Sequence, residues 1–247
     1  MKDNLLEFRH NIPSTNKLLS EMARNSFAGI DVVPPFFALY TDFQSEGHGM
    51  GSNKWFSEKG KNLLVSFYFE PGIPAAEQFV FNQYFAVTTR RFISQFVDGV
   101  SIKWPNDIYV AGKKLAGDLT EHTLAGSKIK FTIAGIGINL NQEWFPEEIP
   151  HPTSLFLETG KSFDCHQFLK AYHEFLVRDF ERIFTDRKTL HEEYLTHLYQ
   201  MKELRRYIIA GQEQQATIQG IDKFGRLQLE VGSGQLVTCG FKEIVFL

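Results

Sequence analysis

The densest group of reactive side chains in this 247-residue sequence is KWPNDIYVAGKKLAG, which packs Lys103, Asp107, Lys113 and Lys114 into twelve residues among apolar neighbours. Pro105 fixes its own φ and biases Trp104 toward an extended conformation, so Asn106 and Asp107 fall at a defined bend. Two lysines and a carboxylate that converge can neutralise phosphoryl oxygens and assist with a metal or a proton. The same residues also suit an ordinary hairpin, with Trp104 in the core, Pro-Asn-Asp as a turn and the lysines on a wet edge strand. Downstream, AGIGINLN sets Gly135 and Gly137 inside an apolar strand, where glycine marks a bulge or the close approach of a ligand, and ends at Asn139, whose amide both donates and accepts.

A third candidate is DFQSEGHGMGSNKWFS, residues 42 to 57, in which Gly47, Gly49 and Gly51 recur at every second position after a run suited to a strand. It has the texture of a phosphate-holding loop without an arginine; only His48 and Lys54 bring positive charge. The Gly135-x-Gly137 pair is not a dinucleotide fingerprint, because no third glycine opens a helix, and no Gly-Lys-Ser/Thr of a Walker loop occurs. His166 and His173 are seven apart on a predicted helix, near 10 Å, too far to clasp one metal directly.

The elements that must carry these groups follow from periodicity. PSTNKLLSEMARNSF offers Ser14, Thr15 and Asn16 as competing N-caps before Leu18, Leu19, Met22 and Ala23 on one helical face. FFALYTDF and NLLVSFYFE read as buried strands with the glycine loop hung between them. Residues from Ile73 to Val97 predict a long core helix ending before Gly99, and the stretch from Val100 to Asn141 predicts a meander of three or so antiparallel strands with turns at Ala111-Gly112 and Ala125-Gly126-Ser127. Pro146 to Pro152 is expected to be a loop, Phe163 to Phe184 a helix and Leu190 to Tyr199 another. After Lys202 short strands separated by Gly211, Gly225 and Gly232-Ser233-Gly234 predict a second, small β domain, giving boundaries of 1–202 and 203–247.

With 26 Lys+Arg against 29 Asp+Glu the formal charge is −3, so no global field draws the protein to nucleic acid or an anionic membrane. Cys165 and Cys239 lack metal-type spacing, Met1 to His10 does not resemble a signal peptide, and no run reaches the roughly 18 to 20 apolar residues that cross a bilayer. A reducing cytoplasm is the expected setting.

In order along the chain, PSTN, the glycine loop, KWPND, KKLAG, GIGIN and GIDKFGRLQL resemble the biotin protein ligase family. The resemblance implies an α+β fold: a mixed central sheet flanked by helices, like that of class II aminoacyl-tRNA synthetases, with a small C-terminal SH3-like barrel. It implies that biotin and MgATP give biotinyl-5′-AMP and pyrophosphate, after which a lysine of a biotin carboxyl carrier domain of acyl-CoA carboxylase takes the biotinyl group. For biotin it implies contacts from Ser14, Thr15 and Gln44 to the ureido head, from Trp55 beside the ligand, and from Gly47, His48, Gly117, Gly135 and Gly137. Lys114 would sit between the biotin carboxylate and the α-phosphate, Lys103 would face pyrophosphate, and Asp107 would orient magnesium or the carrier lysine. Met50, Asn53, Asn106 and Asn139 would serve the nucleotide, with Asn139 at adenine. Relatives that double as repressors carry a winged-helix domain ahead of STN; here STN begins at Ser14, so no such domain and no DNA partner are expected, with monomer and homodimer both open.

The sequence departs from the family pattern where His48, Met50 and Asn53 stand in place of arginines, with Gly51 and Ser52 near a displaced glycine, and where Asp118 follows KLAG in place of an aliphatic residue. In a regular strand Asp118 would share a face with Lys114 about 13 Å away. Two alternatives stand beside a biotin ligase: a binding homologue without turnover, and a lipoate or octanoyl ligase of the same fold.

Overall fold

A computed structural model describes residues 5–29, 32–51, 53–232 and 234–247. The start of the Met1 to His10 stretch, Ser52 of the glycine loop and Ser233 of the Gly232–Gly234 turn lie outside the described residues.

The seven strands of the larger sheet are β1 (Leu6–Phe8), β2 (Ala38–Thr41), β3 (Leu63–Phe69), β4 (Val100–Lys103), β5 (Asp107–Val110), β6 (Lys113–Ala125) and β7 (Lys128–Ile138), in the order β1-β2-β3-β7-β6-β5-β4. β1 pairs with β2 in parallel and every other pair is antiparallel, so the sheet is mixed, as expected. The meander has four strands, not three: the bend at Trp104–Asn106 separates β4 from β5. β1 lies in a charge-mixed stretch with no strand signature of its own and owes its form to the ladder with Ala38–Tyr40.

Both faces of the sheet are covered. Helix α1 (Thr15–Phe27) lays Leu19 and Ala23 against Leu39, Tyr68, Phe131 and Ile133. On the other face α2 (Gln78–Ile93) packs Phe81, Tyr84 and Phe85 against Phe67 and Phe69, with α4 (Cys165–Asp179) alongside. β3 is therefore buried along its whole length, which is why it reads as a continuous apolar run and not an alternating one. Short helices α3 (Leu155–Thr159) and α5 (Arg182–Thr185) and the longer α6 (Arg187–Thr196) complete the set.

Three predicted helices have different limits, each for a local reason. The Ile73–Val97 helix begins only after Pro74, which disfavours helical geometry at Ile73; Ile73 O instead accepts from Ile129 N, and a single 3-10 turn (Ala75–Glu77) leads into α2. The Phe163–Phe184 helix starts at Cys165, because Asn141 holds both the N–H and the carbonyl of Phe163, and it breaks at Phe180, whose ring turns in among Phe36, Phe69 and Tyr84. The Leu190–Tyr199 helix is displaced toward Arg187 because residues 197–199 bridge the edge strand β4: Ile102 N donates to His197 O, and Tyr199 N to Ile102 O.

The terminal strands β8 (Leu204–Ile209), β9 (Gln212–Ile221), β10 (Leu227–Val231), β11 (Gln235–Cys239) and β12 (Ile244–Phe246) form an all-antiparallel five-stranded sheet with β11 and β12 as its outer strands. It docks on the larger sheet through Trp104, buried as expected, whose Nε1 donates to Gly225 O at 2.8 Å. Among the described residues no helix is long and apolar enough to cross a membrane.

Candidate active site

A cavity of about 700 Å³ opens on the α1 face of the larger sheet, between the glycine loop, β6, the Trp104–Asn106 bend and the outer strand β12. Its two ends differ in chemistry.

One end is neutral and polar. Ser14 is the N-cap of α1, its Oγ accepting from Lys17 N at 3.4 Å, so of the three competing caps this one is used. Capping places Thr15 and Asn16 in the first turn, both buried and both in the cavity wall. Gln44 Oε1 accepts from Thr15 N (2.7 Å) and Thr15 Oγ1 (3.1 Å). Ser66 Oγ has one proton to share between Thr15 Oγ1 (2.7 Å) and Asn16 Oδ1 (2.5 Å), while Asn16 Nδ2 donates to Leu119 O and Glu121 Oε2. Asn16 also explains Gly135: a Cβ there would fall 2.0 Å from Asn16 Oδ1. The same logic holds at Gly137, where a Cβ would fall 2.3 Å from Trp55 Cε2, so the indole lies flat against bare backbone. Trp55 Nε1 is buried with no hydrogen-bond partner among the described residues.

The other end is charged. Lys114 Nζ donates to Asp107 Oδ2 at 2.6 Å and lies 5.8 Å from the Trp55 ring centre. The backbone of Lys114 is fixed on both sides, its N–H donating to His151 O and its carbonyl accepting from Thr153 N. Lys103 Nζ donates to Tyr109 OH at 3.1 Å and faces the rings of Tyr109 and, from β12, Phe246, at 5.1 and 4.9 Å. Burial lowers the Lys103 pKa; nearby Asp107 opposes that shift and Lys114 adds to it. A desolvated ammonium held by aromatic faces is primed to exchange them for an anion.

A β-bulge brings this end together. Ile108 pairs with Ala116 but Tyr109 with Lys114, so Leu115 is an extra residue in β6. The insertion shifts the side-chain phase by one. Lys114 therefore shares a face with Gly117, where a Cβ would lie 3.1 Å from both Lys114 Nζ and Asp107 Oδ1. Asp118, expected on the Lys114 face, is turned to the opposite one, level with Ile136 and near enough to Tyr172 and Tyr194 for them to feel its charge. Burial, and then the Asp107 carboxylate, push the Asp118 pKa well above the usual carboxylate range.

Of the residues singled out from sequence, Ser14, Thr15, Gln44, His48, Met50, Asn53 and Trp55 line the cavity, as do Lys103, Asn106, Asp107, Lys114, Gly117, Gly135 and Gly137. Gly47 and Asn139 do not. Gly47 sits behind the loop, its carbonyl accepting from Trp55 N. Asn139 Nδ2 donates to Thr153 O, holding the strap that fixes Lys114, while its buried Oδ1 has no partner among the described residues. The glycine loop is a small hairpin, with a His48–Lys54 bridge and a Gly49 N to Asn53 O bond of 2.8 Å, and His48 and Lys54 are exposed. Asn16, Ser66 and Phe246 were not foreseen: Asn16 carried only a capping signal, and the other two carried none.

Among the described residues no group of three or more His, Cys, Asp or Glu side chains is arranged to hold a metal ion. Asp107, the expected magnesium residue, is paired with Lys114.

The biotin/lipoate A/B protein ligase family model matches residues 11–139. The bifunctional ligase/repressor BirA of Bacillus subtilis (strain 168) is 30% identical over 237 residues, covering 90% of this chain and 68% of that protein. BirA of Bacillus spizizenii is 32% identical over 198 residues, covering 74% and 57%. The chain thus spans 57% to 68% of the length of these two relatives. Among solved structures, the biotin protein ligase from Aquifex aeolicus in complex with biotin and ATP matches with a TM-score of 0.78 at 23% identity over 98% of each chain, a likeness of fold.

Proposed function

The chain belongs to the biotin/lipoate A/B protein ligase family, and from that premise we propose that it activates biotin with MgATP to biotinyl-5′-AMP and transfers the biotinyl group to a lysine of a biotin carboxyl carrier domain. The observation that carries this reading is that one cavity has both a neutral hydrogen-bonding end at Thr15 and Gln44 and a cationic end at Lys103 and Lys114. A cyclic urea needs donors and acceptors around it once buried, and the N-terminus of α1, a positive dipole end, favours its carbonyl. The acyl chain then runs alongside Trp55 toward the bare backbone of Gly117 and the Lys114 ammonium.

At the charged end one ammonium, that of Lys114, bridges the biotin carboxylate and the α-phosphate, bringing two anions together and stabilising the crowded phosphorus. Lys103 turns from its aromatic neighbours to the departing pyrophosphate. Asp107 hands Lys114 to the phosphate and then orients the attacking carrier lysine. Magnesium arrives with the nucleotide as part of the substrate. Ser14 and His48 close the biotin side, with the Gly47 carbonyl holding Trp55 from behind, and Met50, Asn53 and Asn106 lie toward the phosphates. Asn139, outside the cavity, serves the nucleotide side through the strap, its Nδ2 donating to Thr153 O beside Lys114.

The test is biotin-dependent exchange of labelled pyrophosphate into ATP. Exchange well above background at millimolar biotin is expected; its absence there would sink the ligase reading, and separate titrations of biotin and ATP would then show whether a binding function is left. A second expectation concerns the loop. An imidazole offers single hydrogen bonds where guanidinium offers a charged fork, so H48R with M50R should tighten a stable biotinyl-adenylate analogue on the order of tenfold by calorimetry. An unchanged dissociation constant would mean that this hairpin does not meet the phosphate.

A further inference from the structure

We propose that Asp118 is a positioning residue for the reaction at Lys114: it clamps Asn106 from beneath and thereby aims Asp107 at the lysine. The inference rests on the ligase reading and adds a residue to it.

The bend that carries Asn106 has no ladder of its own, since β4 ends at Lys103 and β5 begins at Asp107. Its last two residues and Asp107, which opens β5, are anchored one by one. Pro105 O accepts from Tyr194 OH at 2.8 Å. Asn106 Nδ2 donates both to the Asp118 carbonyl, at 3.3 Å, and to Asp118 Oδ1. Asp107 accepts from Lys114. Of these anchors only the middle one comes from a buried carboxyl, and Asn106 and Asp118 are only 5% and 7% exposed, so the bond is largely shielded from water. An aliphatic side chain at 118 would fill the same space and leave half of a buried amide without its acceptor, freeing the Asn106 side chain to rotate.

The surroundings say which form of Asp118 does this. The charged and titratable groups facing it are Asp107 from β5, Lys114 from β6, Tyr172 from α4 and Tyr194 from α6. Lys114 is committed to Asp107, so burial beside a second carboxylate favours the protonated acid. A neutral acid accepts through its carbonyl oxygen as an amide does. Asparagine is therefore the conservative replacement and leucine, of the same shape, the disruptive one.

The experiment compares wild type, D118N and D118L in biotin-dependent pyrophosphate exchange, with kcat and KM for biotin resolved, and follows amide hydrogen exchange of a peptide spanning the bend by mass spectrometry. D118L is expected to lose kcat by about tenfold or more with KM within about threefold, because displacement of a reacting group acts on the transition state and not on distant binding contacts. Hydrogen exchange in the bend should rise, and D118N should restore both. If D118L does not fold, D118A takes its place. Wild-type kcat and wild-type protection in the disruptive variant overturn the proposal, and so does D118N falling as far as D118L. If the wild type itself shows no pyrophosphate exchange, the ligase reading fails separately and hydrogen exchange decides the clamp: protection lost in D118L and kept in D118N supports it, equal protection in all three overturns it.

Discussion

Replacing Lys114 by methionine is expected to lower kcat for pyrophosphate exchange by about 10²- to 10³-fold while the protein stays folded, the usual scale for removing one charged group aimed at developing charge. The side chain is partly open to the cavity, and its partner Asp107 is equally accessible, so methionine keeps the packed stem without stranding a deeply buried carboxylate. Biotin binding alone should weaken less, since only the carboxylate loses a partner while the ureido contacts at the neutral end make no use of the ammonium. The distinction matters because Lys103 lies at the same end. If K114M retained more than about a tenth of wild-type kcat, Lys103 would have to be the group that stabilises the reacting phosphorus. Comparing K103M in the same assay settles which lysine carries the larger share.

Gly225→Ala is expected to destabilise the protein by about 2 to 4 kcal/mol in urea unfolding, combining left-handed backbone strain with overpacking at a tight contact. Gly225 has φ +84°, and a Cβ there would lie 2.1 Å from Phe79 Cδ2, at the root of a ring that packs edge-on against Tyr194 and cannot simply swing aside. Gly211 supplies the control. It has φ +80° with nothing within 4 Å of a Cβ, so Gly211→Ala should cost about 1 kcal/mol, the strain alone. Equal losses in the two variants would mean that the turn at Gly225 does not meet Phe79 of α2 as tightly as it does here. A second readout follows from Trp104, the first residue of the bend, whose indole N–H bonds to the carbonyl of Gly225. G225A should therefore impair exchange at temperatures where it is still folded.

The chemistry was legible where it depends on residue type and short spacing. Lys103, Asp107 and Lys114 meet because a hairpin bend returns the chain over eleven residues, and Pro105 announces that bend. Gly135 and Gly137 were legible as places of close approach, though what approaches first is protein, Asn16 and Trp55. What periodicity could not convey was phase. One extra residue, Leu115, reverses which side chains of β6 face the cavity, and nothing about a leucine in an apolar run marks it as a bulge. The element limits missed for a related reason: Phe163 and residues 197–199 have helical neighbours but are captured by tertiary hydrogen bonds. Phe246 is more than a hundred residues from the lysine it faces, a distance over which spacing carries no information.

That aromatic face has a consequence for modularity. A fragment ending at Lys202 would keep Lys114, Asp107 and the polar pocket, yet its Lys103 would lose one of its two covering rings and gain bulk water in exchange. The gene could be cut there; the catalytic cavity could not, because one of its walls would be left behind on the other piece. Any minimal, portable version of this protein, built for fusion or for transplantation onto another scaffold, must therefore take both sheets together.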